Sequence, residues 1–149
     1  MGMRSEGLEA LRRQLTAQDI QKLEEDCAKE LAARLLRDVV KNTPVGLYPQ
    51  ESGKKGGSLR RKWSISSPKL QQGKCTIEVI NPMEYASYVE YGHRQEPGRF
   101  VPVLGKRLKA SWVDGRFMLT RAEDRLRQNA QAIVDKKVNQ YMEGMLNGK

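Results

Sequence analysis

Asn81-Pro82-Met83-Glu84-Tyr85-Ala86-Ser87-Tyr88-Val89-Glu90-Tyr91-Gly92-His93-Arg94 places three of the chain's five tyrosines between a helix-start signal and a helix-stop signal. The Asn81 side chain can accept a first-turn N–H. Pro82 at the first helical position has a preset φ and no N–H to waste, and Glu84 can reach back to the cap. Gly92 supplies the stop. The spacing predicts a helix of about three turns, with Tyr85, Tyr88 and Val89 on one face and Tyr91 one turn beyond Tyr88. A tyrosine has an apolar body and a polar tip, which suits a partly wet protein interface. A short amphipathic helix ordinarily packs its aromatics on its own sheet, and that is the expectation for Tyr85 and Tyr88; Tyr91 is equally suited to an interface.

On either side of this helix the hydrophobic period changes to two. Residues 61–67 alternate, with Trp63 and Ile65 opposed to Lys62, Ser64 and Ser66, and residues 75–80 alternate likewise. The intervening Gln71-Gln72-Gly73-Lys74 makes them an antiparallel hairpin. Beyond the tyrosines, Phe100-Val101-Pro102-Val103-Leu104 and Leu108-Lys109-Ala110-Ser111-Trp112-Val113 flank Gly105-Lys106-Arg107. This predicts a second hairpin over 95–115, either an arm toward a neighbour or the third and fourth strands of the sheet. Pro102 confines its strand to an edge.

Long helical patterns close both ends. Ile20, Leu23, Cys27, Leu31 and Leu35 recur at helical spacing from a Thr16 cap to Asn42, just before Thr43-Pro44. Residues 117–146 carry Leu119, Ala122, Leu126, Ala130, Ile133, Val134, Val138, Tyr141 and Met145 along one side. Residues 46–57, rich in glycine, read as a mobile loop. The fold class expected is α+β, a small antiparallel β-sheet packed against two long helices, with a short helix and extended loop and hairpin arms. Residues 1–15 form a lead segment, helical over 8–15, and residues 16–149 a single domain.

The chain has 149 residues, 38% of them hydrophobic and 6% aromatic, enough for one core without staples. No membrane span or secretory signal is expected, and the chain is expected to be made and used in a cytoplasm. Cys27 and Cys75 are expected to be free thiols there. With two cysteines and one histidine there is no tetrahedral metal set, and no metal is expected.

The net charge of +9 is uneven: residues 46–116 hold 13 Lys and Arg against 6 Asp and Glu, whereas residues 1–45 balance at 8 and 8. Lys54, Lys55, Arg60, Arg61 and Lys62 form one basic cluster, and Arg99, Lys106, Arg107, Lys109 and Arg116 another. Such clusters face solvent, nucleic acid phosphate or an acidic partner, and composition does not separate these.

No catalytic set stands out. His93, the lone histidine, follows the stop glycine, where a capping or hydrogen-bonding role is expected. Glu84 and Glu90 are six apart on one helix and do not face each other. Gly53-Lys54-Lys55-Gly56-Gly57-Ser58 lacks the phosphate-loop order. Neither catalysis nor a cofactor is expected.

Thr43-Pro44-Val45, Gly57-Ser58-Leu59-Arg60-Arg61-Lys62-Trp63, the Asn81 to Arg94 stretch and Gly115-Arg116-Phe117-Met118-Leu119, in that order and dispersal, resemble the tailed-bacteriophage family of neck, tail-completion and minor tail components. The resemblance spans roughly residues 16–146. Members usually pass from Thr-Pro-Val almost directly into the Gly-x-Leu-Arg block, so most of 46–57 is an insertion, and Lys62 stands where a small polar residue is common. The resemblance implies a structural virion protein, assembled in the host cytoplasm. It implies a homo-oligomeric ring at the head-to-tail junction, between the connector or head-closure protein and the tail tube or terminator. DNA would pass through without specific binding, and no membrane is involved. Ring contacts of this kind are head-to-tail. The expected subunit interface is Trp63, Tyr85, Tyr88, Tyr91, His93, Arg94, Arg99, Phe100, Lys106, Arg107, Trp112 and Arg116, with Pro44, Asn81, Pro82, Gly92 and Gly115 as turns and caps. The rival class is a basic nucleic-acid-binding module, which the charge favours and the absence of a recognised motif disfavours.

Overall fold

The computed structural model describes residues 16–147. The helical lead expected over 8–15 lies outside them. Helix α1 (Ala17–Asn42) begins in a capping box: the Thr16 hydroxyl accepts the Asp19 N–H at 3.1 Å, and the Asp19 carboxylate accepts the Thr16 N–H at 3.0 Å. Helix α4 (Met118–Leu146) runs antiparallel to it, with Arg125 against Asp38 at one end of the pair and Tyr141 against Asp19 at the other. At 1.5 Å per residue these helices are about 39 and 43 Å long.

The core lies at one end of this pair. Val39, Leu59, Met118 and Ala122 are buried, and Leu35, Val40, Trp63, Val79, Met83, Ala86, Val89 and Leu119 pack around them. Farther along, the apolar stripes of both helices, including Leu23, Leu31, Ile133 and Val138, are only half-buried. Two helices alone do not enclose a stripe of that width.

The fold is α+β, with two long helices, two short ones, α2 (Ser58–Arg61) and α3 (Ala86–Tyr91), and small antiparallel strand pairs. The strands form two long hairpins separated by α3. In the first, β1 (Ser64–Ile65) pairs with β4 (Val79–Ile80), and β2 (Lys69–Gln71) with β3 (Lys74–Thr76), turning at Gln72-Gly73. Its β3 edge lies along α1. In the second, β5 (Gly92–Arg94) pairs with β8 (Trp112–Asp114), and β6 (Phe100–Val101) with β7 (Lys106–Arg107).

Each hairpin carries one extra residue in its first strand. In the second, the Gly98 N–H donates to the Leu108 carbonyl at 2.7 Å while the Leu108 N–H donates to the Arg99 carbonyl at 2.8 Å. Two residues therefore oppose one, with Gly98 at φ +86°, the arrangement of a β-bulge. Beyond it, β6 and β7 pair with each other rather than with a helix.

The tyrosine helix is shorter than its start and stop signals imply. Only Ala86–Tyr91 is helical, with Tyr85 at the N-cap and no side-chain cap. Asn81 is drawn off by tertiary contacts: its Nδ2 donates to the Leu59 carbonyl at 2.8 Å, and its Oδ1 accepts the Met83 N–H at 3.1 Å. The side chain thus closes a turn before the helix and ties it to α2.

Candidate assembly surface

The site begins with the frame that holds it. Where α1 ends, the Thr43 side chain is fully buried; its hydroxyl donates to the Val39 carbonyl at 2.6 Å and accepts the Trp63 indole N–H at 2.8 Å. The Thr43 carbonyl accepts both Nε and Nη2 of Arg60, at 3.1 and 2.7 Å. A guanidinium there satisfies an orphan carbonyl and complements the negative end of the helix dipole. Arg60 therefore leaves the surface basic cluster and serves the fold. Trp63 does likewise: it packs on the core, and it lines a cavity of about 180 Å³ together with Tyr91.

A second polar knot seats α4. Glu90 is 5% exposed, and its carboxylate accepts the Leu119 N–H at 2.9 Å, the Thr120 N–H at 2.9 Å and the Thr120 hydroxyl at 2.7 Å. Helix α4 has no cap from its own chain end, where Phe117 is at φ +47°. The cap comes instead from a residue on α3. Two bonds close the joint, Arg116 N–H to the Val89 carbonyl at 2.7 Å and Phe117 N–H to the Glu90 carbonyl at 3.0 Å. Gly115 passes so close that a Cβ there would meet the Glu90 carbonyl oxygen. Sequence reasoning weighed Glu90 only as half of a carboxylate pair. Its signal is the inward stripe Ala86, Val89 and Glu90, at i, i+3 and i+4 on a helix.

That stripe decides where the tyrosines go. With Ala86 and Val89 packed on the core, Tyr85, Tyr88 and Tyr91 point outward, and Tyr88 and Tyr91 are 58% and 64% exposed. Tyr85 and Tyr88 keep only partial contact with the chain's own strands, Tyr85 beside Val113 and Tyr88 beside His93, because a six-residue helix has one inner face and it is already filled. Exposed Glu84 and Ser87 complete the outer surface. Tyr88 lies 5.8 Å from the His93 ring, and Tyr91 meets Phe117 edge-on at 6.5 Å. His93 makes one side of the hydrogen-bonded role expected of it, with its Nε2 3.5 Å from the Gln95 side-chain nitrogen, while its Nδ1 is buried without a partner and the ring sits in β5 opposite Val113.

Tyr85 forms one wall of a groove of about 330 Å³, shared with Val45, Tyr48, Val89 and Val113. The 46–57 loop supplies the Tyr48 side, with Val45 just before it. Its neck closes where Gly56 meets the Gly46 carbonyl, with no room for a side chain, and Leu47 projects almost fully into solvent. From the other flank the β5–β8 arm extends outward, with half-exposed Phe100 and Trp112. Arg107 lies 6.0 Å over the Phe100 ring and donates to the Gly98 carbonyl at 2.8 Å.

Charge follows the same division. Among the described residues, the ion pairs lie on the two long helices, whereas Arg94, Arg99, Lys106, Arg107 and Lys109 are exposed on the arm without an acidic partner. Cys27 and Cys75 are free and half-buried, and burial pushes the Cys27 thiol up. The described residues contain no metal-ligating cluster and no helix long and apolar enough to cross a membrane.

Residues 8–92 match the family model described as "Bacteriophage HK97-gp10, putative tail-component", which is more than half of the chain. The chain belongs to the HK97-gp10-like family. It is accordingly a structural phage tail component, a protein of the virion that works among other phage structural proteins. The matched segment of this tail component runs through α1, the loop, the first hairpin and α3, and the outer arm and α4 lie beyond it. No curated protein and no solved structure matches it.

Proposed function

We propose that this tail component assembles as a homo-oligomeric ring at the head-to-tail junction or the top of the tail, joining the connector to the tail tube. One observation carries the reading. Among the described residues, fourteen large hydrophobic side chains are exposed against five buried hydrophobic ones. Isolated exposed apolar residues are ordinary, but contiguous apolar surface marks a protein contact. Here Val45, Tyr48 and Tyr85 share one groove, and exposed Tyr88 and Tyr91 follow Tyr85 at three-residue steps along α3.

The subunit interface in this reading comprises the tyrosine face, His93 and Arg94 beside it, and the arm with Arg99, Phe100, Lys106, Arg107, Trp112 and Arg116. Trp63 supports it from the core side, and Pro44, Asn81, Pro82, Gly92 and Gly115 hold the turns. The contacts are heterologous, one patch against a different patch on the next copy, so rotation closes a circle. DNA must slide through such a ring, so its cations serve protein neighbours better than they serve tight phosphate binding.

Negative-stain imaging of the purified protein, alone and on tails that lack it, tests this. Rings, and restored head attachment, are expected; a protein that stays monomeric and leaves tails unjoined refutes it. The rival nucleic-acid reading draws on the +9 charge. It predicts micromolar DNA binding whose log affinity falls with log salt, and the ring reading predicts negligible binding.

A further inference from the structure

We propose that the tip of the β5–β8 arm docks on a second copy of this chain. In that contact Phe100 enters the groove beneath Tyr85, and Arg99 and Arg107 lie against the tyrosine face of α3. The inference rests on the ring reading and names the two surfaces that meet.

An isolated two-stranded ribbon is marginal in water and needs a surface to lie on. Past Arg94 and Trp112 the arm leaves the body, and β6 and β7 pair only with one another, with Phe100 half-exposed at the far end. The groove offers the missing surface: apolar walls of Val45, Tyr48, Tyr85, Val89 and Val113 around about 330 Å³, open to one aromatic ring.

An arm cannot fill its own groove. Val113, in the groove wall, belongs to the arm's base, and Phe100 lies eight residues beyond Gly92 along the ribbon. At about 3.3 Å per residue that places the tip roughly 26 Å from the base. One bulge bends a ribbon but does not fold it back on itself. Tip and groove therefore meet only between copies. A patch whose complement lies elsewhere on the same chain makes the heterologous contact that propagates around a ring.

Charge fits the same pairing. The tip carries Arg99, Lys106 and Arg107 without acidic partners among the described residues, and the receiving face carries exposed Glu84 one turn before Tyr88. Tyrosine ring faces also attract guanidinium groups. Lys55 and Arg116 line the groove with a single carboxylate, Asp114, so exposed Glu84 beside Tyr85 adds the second acidic group that the arm's cations can meet.

The test is a photocross-link from Phe100→benzoylphenylalanine in assembled protein mixed from isotope-labelled and unlabelled chains. Mixed-isotope cross-links to residues 45–48, 85–89 or 113 are expected. Rings that form but cross-link elsewhere overturn this contact and leave the ring reading standing. Wild-type protein that forms no oligomer, alone or on tails, overturns both. Charge reversal gives a second readout: Glu84→Arg and Arg99→Glu should each weaken assembly at low salt about tenfold, with most of the loss recovered when the two are combined. Single variants that keep the wild-type circular dichroism and assemble normally overturn the charge pairing.

Discussion

Glu90→Ala is expected to cost about 3 kcal/mol of folding free energy, although residue 90 lies outside the helix it stabilises. Its carboxylate takes the first free N–H groups of α4, at Leu119 and Thr120, and is itself 5% exposed. Removing it strands two donors at the edge of the core, at roughly 1 kcal/mol each toward the low end for buried unpaired groups. It also removes a negative charge from a helix N-terminus, worth about 1 kcal/mol in a partly buried setting. The exposed Thr120 hydroxyl turns to water and adds little. Glu90→Gln keeps one acceptor but presents an NH₂ to an N–H, so about half the loss remains. Urea titration followed by circular dichroism reads this directly. With a slope of about 2 kcal/mol per molar, the Ala variant's midpoint falls by roughly 1.5 M and the Gln variant's by about half that. The titration belongs at a concentration where the midpoint no longer depends on protein concentration, because assembly adds its own stability. A midpoint for Glu90→Ala within about 0.2 M of wild type, at unchanged slope, would refute the cap.

Trp63→Phe keeps the packed ring but loses the indole bond to Thr43, and a destabilisation of about 1 kcal/mol is expected in the same titration. Gly115→Ala drives a Cβ into the Glu90 carbonyl and the Tyr91-Gly92 backbone, none of which can yield, so a loss of about 3 kcal/mol or failure to accumulate folded protein is expected. The Arg125 hydrogen bond and charge hold the Asp38 carboxyl below its ordinary range, so the stability it contributes is present above the unfolded carboxylate pKa and lost as pH falls through the lowered folded value. The pair is partly exposed, so Arg125→Ala should lower the urea midpoint only slightly at neutral pH, and acid titration should show that difference vanishing as pH falls below the ordinary carboxylate range. Replacing Tyr85, Tyr88 and Tyr91 together by Ser should leave the folding free energy within about 1 kcal/mol of wild type and abolish assembly by sedimentation; normal assembly would remove the tyrosine face from the interface.

What was legible in the sequence was what local spacing encodes. The Thr16 capping box, the end of α1 before Pro44, the turn at Gln72-Gly73 and the long stripe of α4 each depend on residues within a few positions of one another. The misses involve partners far apart in the chain. Asn81 looks like a helix cap because the cap motif is local, yet Leu59, twenty-two positions away, claims its amide. Glu90 caps a helix that begins twenty-eight residues later, and no spacing rule connects them. Spacing sets Tyr85 and Tyr88 against the chain's own sheet because tyrosine reads as apolar and glutamate as polar, yet Glu90 occupies the inner face and the rings are left partly exposed.

The blocks that carry the phage-tail resemblance prove to be mostly frame. Thr43, Leu59, Arg60, Trp63, Asn81, Glu90 and Met118 meet at one junction, each tied to another by a hydrogen bond or packed in the core. Such residues fix how α1, α3 and α4 meet, and they tolerate little exchange because an orphaned partner would be left buried. The residues left facing outward, from Leu47 through the tyrosines to Phe100, are not needed to close that junction. They are free to suit whatever the tail component touches. Family membership therefore follows from the frame, and the choice of neighbour follows from the surface. On that division, exchanging the arm and the tyrosine face together between two family members should move partner choice with them while each frame keeps its own stability.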